Sequence, residues 1–152
     1  MDESTFQSVM QTFDFRRVGT LQMSAGRFRY ALTNDMSGEG FVYLWVERQT
    51  SKYSIVYVGM AGKSLRARCE QHLGGFRQST TGKAHAKRLE AGFSAGCEYH
   101  LYARKCETDT VLGEAGIPMT TVEELAFIRK FKPAWNRAST ALPAVAVAAQ
   151  AP

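Results

Sequence analysis

Phe41-Val42-Tyr43-Leu44-Trp45-Val46 and Tyr53-Ser54-Ile55-Val56-Tyr57-Val58 decide the fold. Both runs are rich in β-branched and aromatic residues, and the polar stretch 48–52 between them joins the pair as a hairpin. Gly59 ends the second run, and the cluster Asn34-Asp35-Met36-Ser37-Gly38-Glu39-Gly40 supplies the turn that leads into the first. Beyond Gly62 the apolar period lengthens. Residues 64–73 fit a helix with Ser64 as N-cap and Gly74-Gly75 as its stop. Residues 83–91 fit a second, basic helix closed by Gly92, and Cys97-Glu98-Tyr99-His100-Leu101-Tyr102-Ala103 alternates as a third strand does. A looser stretch runs through Gly113 and Gly116, and Thr121 then opens a helix that ends near Phe131, before Pro133.

Upstream, from about Phe13 to Thr33, Phe13, Phe15, Val18, Leu21 and Met23 alternate loosely with Gly19 and Gly26 as punctuation, which suggests short strands. The expected class is α+β: a small central three-stranded antiparallel sheet flanked by helices, with an N-terminal β extension. The chain divides into an extension over 1–37, a core domain over 38–138 and an uncharged Ala, Val and Pro tail over 139–152 that reads as disordered.

A chain of 152 residues with 45% hydrophobic and 22% charged residues fits one globular domain with a real core. Nineteen Lys and Arg against fourteen Asp and Glu give 19 − 14 = +5 and a pI near 9.3, a balance that favours a polyanionic partner. The acidic start Met1-Asp2-Glu3-Ser4 lacks a secretory pattern, and no run reaches membrane-spanning length. Cys69, Cys97 and Cys106 form no C-x-x-C pair, so neither a disulfide framework nor a zinc knuckle is expected. A reducing cytoplasm is the compartment this predicts.

Two helices carry an anomaly. Glu124, Phe127, Ile128 and Phe131 share one stripe, which puts a carboxylate on an apolar face where it needs a metal, a cation or strong donors. The alternative is structural, because Thr121-x-x-Glu124 also spells a capping box. Glu123 lies well off the stripe and reads as solvated. In the helix after the hairpin, Leu65, Arg68, Cys69 and His72 repeat the spacing. A guanidinium and an imidazole gain nothing from each other, so an anion such as a phosphate is a natural shared partner; an arginine paired to a distant carboxylate, with His72 at a boundary, is the alternative. Ala61-Gly62-Lys63-Ser64 imitates a P-loop, but Tyr57 stands where that loop needs its first glycine.

In order along the chain, Phe41-Val42-Tyr43, Tyr57-Val58-Gly59, Leu65-x-x-Arg68-x-x-x-His72, and Glu124 with Pro133 and Asn136 (136 − 124 = 12) together resemble the GIY-YIG endonuclease superfamily. The resemblance covers roughly residues 38–137, and the stretch 102–136 is most similar to a phage-type branch. Phe41 stands in place of the usual glycine, and thirteen residues, 44–56, separate the two motif tyrosines. His72 resembles the histidine of the restriction-enzyme branch, whereas the phage branch uses a lysine from the following helix, for which Lys83 is the nearest candidate.

The resemblance implies a metal-dependent DNA endonuclease that hydrolyses phosphodiester bonds by one-step in-line attack of water, leaving 5′-phosphate and 3′-hydroxyl ends. It implies one divalent ion, Mg2+ with Mn2+ able to substitute, held by Glu124. Tyr43 would take or orient the water's proton with His72 and Tyr57 assisting, Arg68 would stabilise the transition state, and Gly59, Lys83 and Asn136 would support the site. Lys63, Arg66, Lys87, Arg88, Arg129, Lys130, Lys132 and Arg137 are the cations expected to hold DNA, most naturally double-stranded, with a homodimer or homotetramer left open. The alternative is a non-catalytic DNA-binding module on the same fold; the presence of Tyr43, Tyr57, Arg68, His72, Glu124 and Asn136 together favours the enzyme.

Overall fold

In the computed structural model, which describes residues 1–33 and 37–136, the hairpin is the centre of the molecule. Its strands β3 (Phe41–Gln49) and β4 (Lys52–Ala61) meet at a two-residue turn, with Thr50 at a φ of 55°. The remaining elements in chain order are α1 (Glu3–Thr12), β1 (Arg16–Ser24) and β2 (Arg27–Leu32) before the hairpin, and α2 (Leu65–Gln78), α3 (Thr80–Ser94), β5 (Glu98–Lys105), β6 (Thr108–Val111), β7 (Glu114–Pro118) and α4 (Thr120–Phe131) after it.

The main sheet has five strands in the order β2-β1-β5-β3-β4, every pair antiparallel. The α+β class holds, but the sheet is wider than the three strands expected, because β1 pairs with the free side of β5 and brings β2 with it. The even and odd positions of β3 explain its unbroken apolar sequence. Phe41, Tyr43 and Trp45 face a core closed by α2 and α3, while Val42, Leu44 and Val46 face a second core under α1 and α4. Both faces are covered, so no position of this run is free to be polar.

α1 is not anticipated by the sequence reading, although Asp2 caps it by accepting from the Thr5 amide and Phe6, Val9 and Met10 form its apolar side. Two helix ends also differ. Ser64 caps α2 as expected, accepting from the Ala67 amide, but the helix runs through Gly74-Gly75 to Gln78. Those glycines are not a stop, and the close approach beside them depends on Gly82 of α3, where a Cβ would overlap the Gly75 carbonyl, so the two helices touch backbone to backbone. α3 starts at Thr80, capped by Ser79, and passes through Gly92 to Ser94. The stretch through Gly113 and Gly116 is a small hairpin, β6–β7, that forms a sheet of its own. The 139–152 tail, Arg137 and the turn residues 34–36 lie outside the described residues. Among the described residues no helix is long and apolar enough to cross a membrane.

Candidate active site

Four elements deliver the site. β3 and β4 carry Tyr43 and Tyr57 on the face that α2 covers, α2 lays Arg68 and His72 over them, and α4 brings Glu124 to the outer edge of β4. The hydroxyl of the buried Tyr43 is the junction. It lies 2.5 Å from His72 Nε2 and accepts from Arg68 Nε at 3.3 Å, while Arg68 Nη1 donates to Gln71 Oε1 at 3.1 Å. Tyr57, Arg68, Gln71 and His72 line a cleft of about 220 Å3. Arg68 and His72 therefore share a phenol oxygen at their base and face one cavity, the placement an anion between them requires.

Glu124 is half-buried and close enough to Arg68 and Tyr57 for their charges to act on one another. Burial raises its carboxyl pKa above the ordinary value, with Arg68 and a hydrogen bond from the Met60 backbone opposing that rise. The capping-box alternative is not realised: the cap position of α4 is Met119 and no side chain closes it. Glu123, expected in solvent, is the carboxylate with structural partners. It accepts from the Glu107 amide at 2.7 Å and meets Arg104 Nε at 3.3 Å, its side chain only 15% exposed.

Electrostatics assigns protonation states. Burial first, and then Tyr57, push the Tyr43 phenol well above its usual range against the opposing effect of Arg68, so burial overrides the lowering expected from the guanidinium. Tyr57 is raised for the same first reason. Burial, Arg68 and His85 together depress His72 to about 3. Neutral His72 therefore accepts at Nε2 and the Tyr43 hydroxyl donates to it.

That depression makes a testable contribution to stability. An unfolded histidine titrates near 6.5. Between that value and about 3 the unfolded chain binds a proton that folded His72 refuses, so stability is full above pH 6.5 and falls as pH drops toward 3. His72→Gln should flatten the dependence of unfolding free energy on pH across that window by about 1.4 kcal/mol per pH unit. Urea titrations of both proteins from pH 7 to 4 measure it; parallel profiles would contradict a buried neutral imidazole.

No protein-family model and no curated protein sequence matches the chain. Two solved structures do match it in fold. A point mutant of bacteriophage T4 EndoII aligns with a TM-score of 0.65 and 18% identity, over 86% of this chain and 97% of that one. Restriction endonuclease HPY188I in complex with product DNA aligns with a TM-score of 0.51 and 18% identity, over 86% and 79%. The chain has the fold of these endonucleases.

Within this endonuclease fold the supporting residues are distributed unevenly. Gly59 stands opposite Tyr43 in the register of the hairpin, and a Cβ there would collide with the Tyr43 hydroxyl and come within 2.8 Å of Tyr57 Cε1. Gly59→Ala should destabilise the fold by about 2 kcal/mol despite the usual gain from replacing glycine in a strand, because the ring it displaces has no free space. Thermal unfolding measures this, and an unchanged or raised midpoint would show that Tyr43 can move aside. Asn136 closes the edge of β4, accepting from the Val58 amide at 2.9 Å and donating to the Val58 carbonyl at 2.8 Å, beside a bond from the Trp135 amide to Val56.

Lys83 is exposed and does not line the cleft. The α3 side chains that do include Thr81 and His85, and the sequence reading missed His85. It is buried, 3.2 Å from the Trp135 carbonyl and edge-on to Tyr57. Its signal was present, since Gly82, His85, Ala86 and Leu89 form the buried stripe of α3. The expected DNA cations Lys63, Arg66, Lys87, Arg88, Arg129, Lys130 and Lys132 are all exposed, but not on one surface. Lys63 and Arg66 flank the start of α2, Arg88 lies over Trp135, and Lys130 sits 4.9 Å above Phe13 on the layer opposite His72.

Proposed function

We propose that this protein is a metal-dependent DNA endonuclease of the GIY-YIG type. The observation that carries the reading is the convergence of Arg68 and His72 on the Tyr43 hydroxyl, at the mouth of a cleft that also holds Tyr57, with the half-buried Glu124 of α4 close enough to Arg68 for their charges to interact.

The donor set fits magnesium better than zinc. Among the described residues no group of three or more His, Cys, Asp or Glu could hold a metal, so Glu124 supplies one ligand and the others come from water and DNA oxygens. Mg2+ is commonly held in this way, by one or two carboxylates, several waters and substrate phosphates, whereas structural zinc takes four protein ligands. A divalent ion held by Glu124 would supply positive charge to offset the negative charge that builds up on the reacting phosphate.

The chain's own residues supply the rest. Arg68, already oriented by Tyr43 and Gln71, presents its remaining donors to a phosphate in the cleft and stabilises the charge that accumulates in the transition state. A phenol held protonated is no standing base. As the attacking water gives its proton to the Tyr43 oxygen, Tyr43 passes its own along the existing hydrogen bond to His72, whose charged form an anionic phosphate in the cleft favours, and the water oxygen bonds phosphorus while the P–O3′ bond breaks and the 3′ oxygen leaves as an alkoxide. A solvent water protonates the alkoxide to the 3′-hydroxyl and His72 returns its proton to solvent, so protons and charge balance. Asn136 and Gly59 fix the strand that carries Tyr57.

Incubating the purified protein with supercoiled plasmid in Mg2+ or in EDTA tests the proposal. Relaxed or linear DNA in Mg2+ alone is expected. Intact plasmid in both, with a shifted mobility on binding, would replace the enzyme with a DNA-binding module.

A further inference from the structure

The β6–β7 hairpin has no evident role in folding or at the site. Among the described residues its two strands pair only with each other, and isolated two-stranded hairpins are marginal in water. Its turn places Leu112 at a φ of 53° before Gly113 at 86°, a conformation in which Asn, Asp and Gly are the usual occupants. Leu112 is nevertheless fully exposed, and Val111 and Ile117 are each about 40% exposed beside it. An apolar tip on a protruding arm marks a contact surface.

Charge identifies the partner. Residues 107–118 contain Glu107, Asp109 and Glu114 and no Lys, Arg or His, in a chain of net charge +5. Three negative charges oppose insertion into a phosphate backbone and favour a basic protein surface. This chain has one of matching shape. Where β1 and β5 part after the Leu21–Tyr99 pair, a groove of about 640 Å3 opens with Leu21, Met23 and Phe93 among its apolar lining, Arg17 and Arg29 at its sides, and one carboxylate, Glu98, that is already engaged by Arg48 and His100. The groove also holds His100, buried, whose Nδ1 has no hydrogen-bond partner among the described residues.

The two features lie at opposite ends of β5: the groove at its start, the hairpin after its end, separated by eight residues. At about 3.3 Å per residue that is roughly 26 Å. Two copies with their β5 strands antiparallel would each offer a hairpin to the other's groove, which closes the pair by a two-fold and leaves no site for further growth. We propose that the chain forms a homodimer by reciprocal docking of the acidic hairpin of one copy into the arginine-flanked groove of the other. The dimer stands independently of the activity. If the nuclease reading holds, it brings two cleavage centres to one duplex.

Sedimentation equilibrium on the full chain tests the dimer without DNA. A dimer whose dissociation constant rises with salt is expected, and Leu112→Asp, at a fully exposed position, should raise that constant at least roughly tenfold. Asp109→Lys with Glu114→Lys should also weaken it, Arg29→Glu alone should weaken it, and all three changes in one chain should restore pairing. A monomer at about 100 μM overturns the proposal, as does a dimer unaffected by Leu112→Asp. Unchanged mass with lost plasmid affinity in Leu112→Asp would assign the tip to DNA instead. Plasmid cleavage by a monomer would sink the dimer alone, and a dimer that never cuts would sink only the nuclease reading.

Discussion

Glu124→Gln is expected to lower Mg2+-dependent DNA cleavage about a thousandfold, a loss near 4 kcal/mol of transition-state stabilisation, while DNA binding survives. Glutamine keeps the shape and the Met60 backbone contact but lacks the charge that would hold a divalent ion against Arg68. The position is half-buried, and burial already works against the carboxylate, so the neutral replacement should fold at least as well as the native chain. Stability and activity therefore move in opposite directions, which a merely structural carboxylate would not produce. Plasmid cleavage, filter binding and thermal unfolding of one mutant preparation measure all three, and undiminished cleavage would remove Glu124 from the chemistry.

Arg68→Lys is expected to cost about two orders of magnitude in cleavage rate, the range seen when one preorganised donor to a transition-state oxyanion is deleted. The guanidinium spans the Tyr43 hydroxyl and the Gln71 amide with two of its nitrogens and still has donors for a phosphate. An ammonium has a single nitrogen and cannot meet these partners in one plane. Because the Tyr43 hydroxyl also bonds His72, losing the fork should shift the pH dependence of cleavage as well as the rate. A wild-type rate and profile from the lysine variant would make Arg68 a packing residue.

The parts of this architecture that depend on local period were legible in the sequence. The β3–β4 hairpin, the start of α2 at Ser64 and the pairing of Arg68 with His72 follow from neighbours within four residues. What depended on distant contacts was not. Gly74-Gly75 reads as a stop because helix propensity is local, whereas the glycine the helix crossing needs is Gly82, which meets the Gly75 carbonyl from the next helix. Glu123 reads as solvated from its wheel angle, but Arg104 at the end of β5 and the Glu107 amide just beyond it cover that side of α4. The burial that holds the Tyr43 phenol up against the pull of Arg68 is likewise something spacing cannot show. His85 was legible in principle, on the same stripe logic that found Glu124, but Lys83 drew the assignment by analogy.

The clasp at the edge of β4 has a consequence beyond the site. Asn136 and Trp135 occupy the backbone groups of Val56 and Val58 that would otherwise stand open along the outermost strand of the sheet. Val56 and Val58 belong to an apolar, β-prone segment, the kind that recruits other chains into fibrous aggregates when its ladder is bare. By keeping that ladder engaged, a two-residue cap also protects the protein from self-templated precipitation during expression and storage.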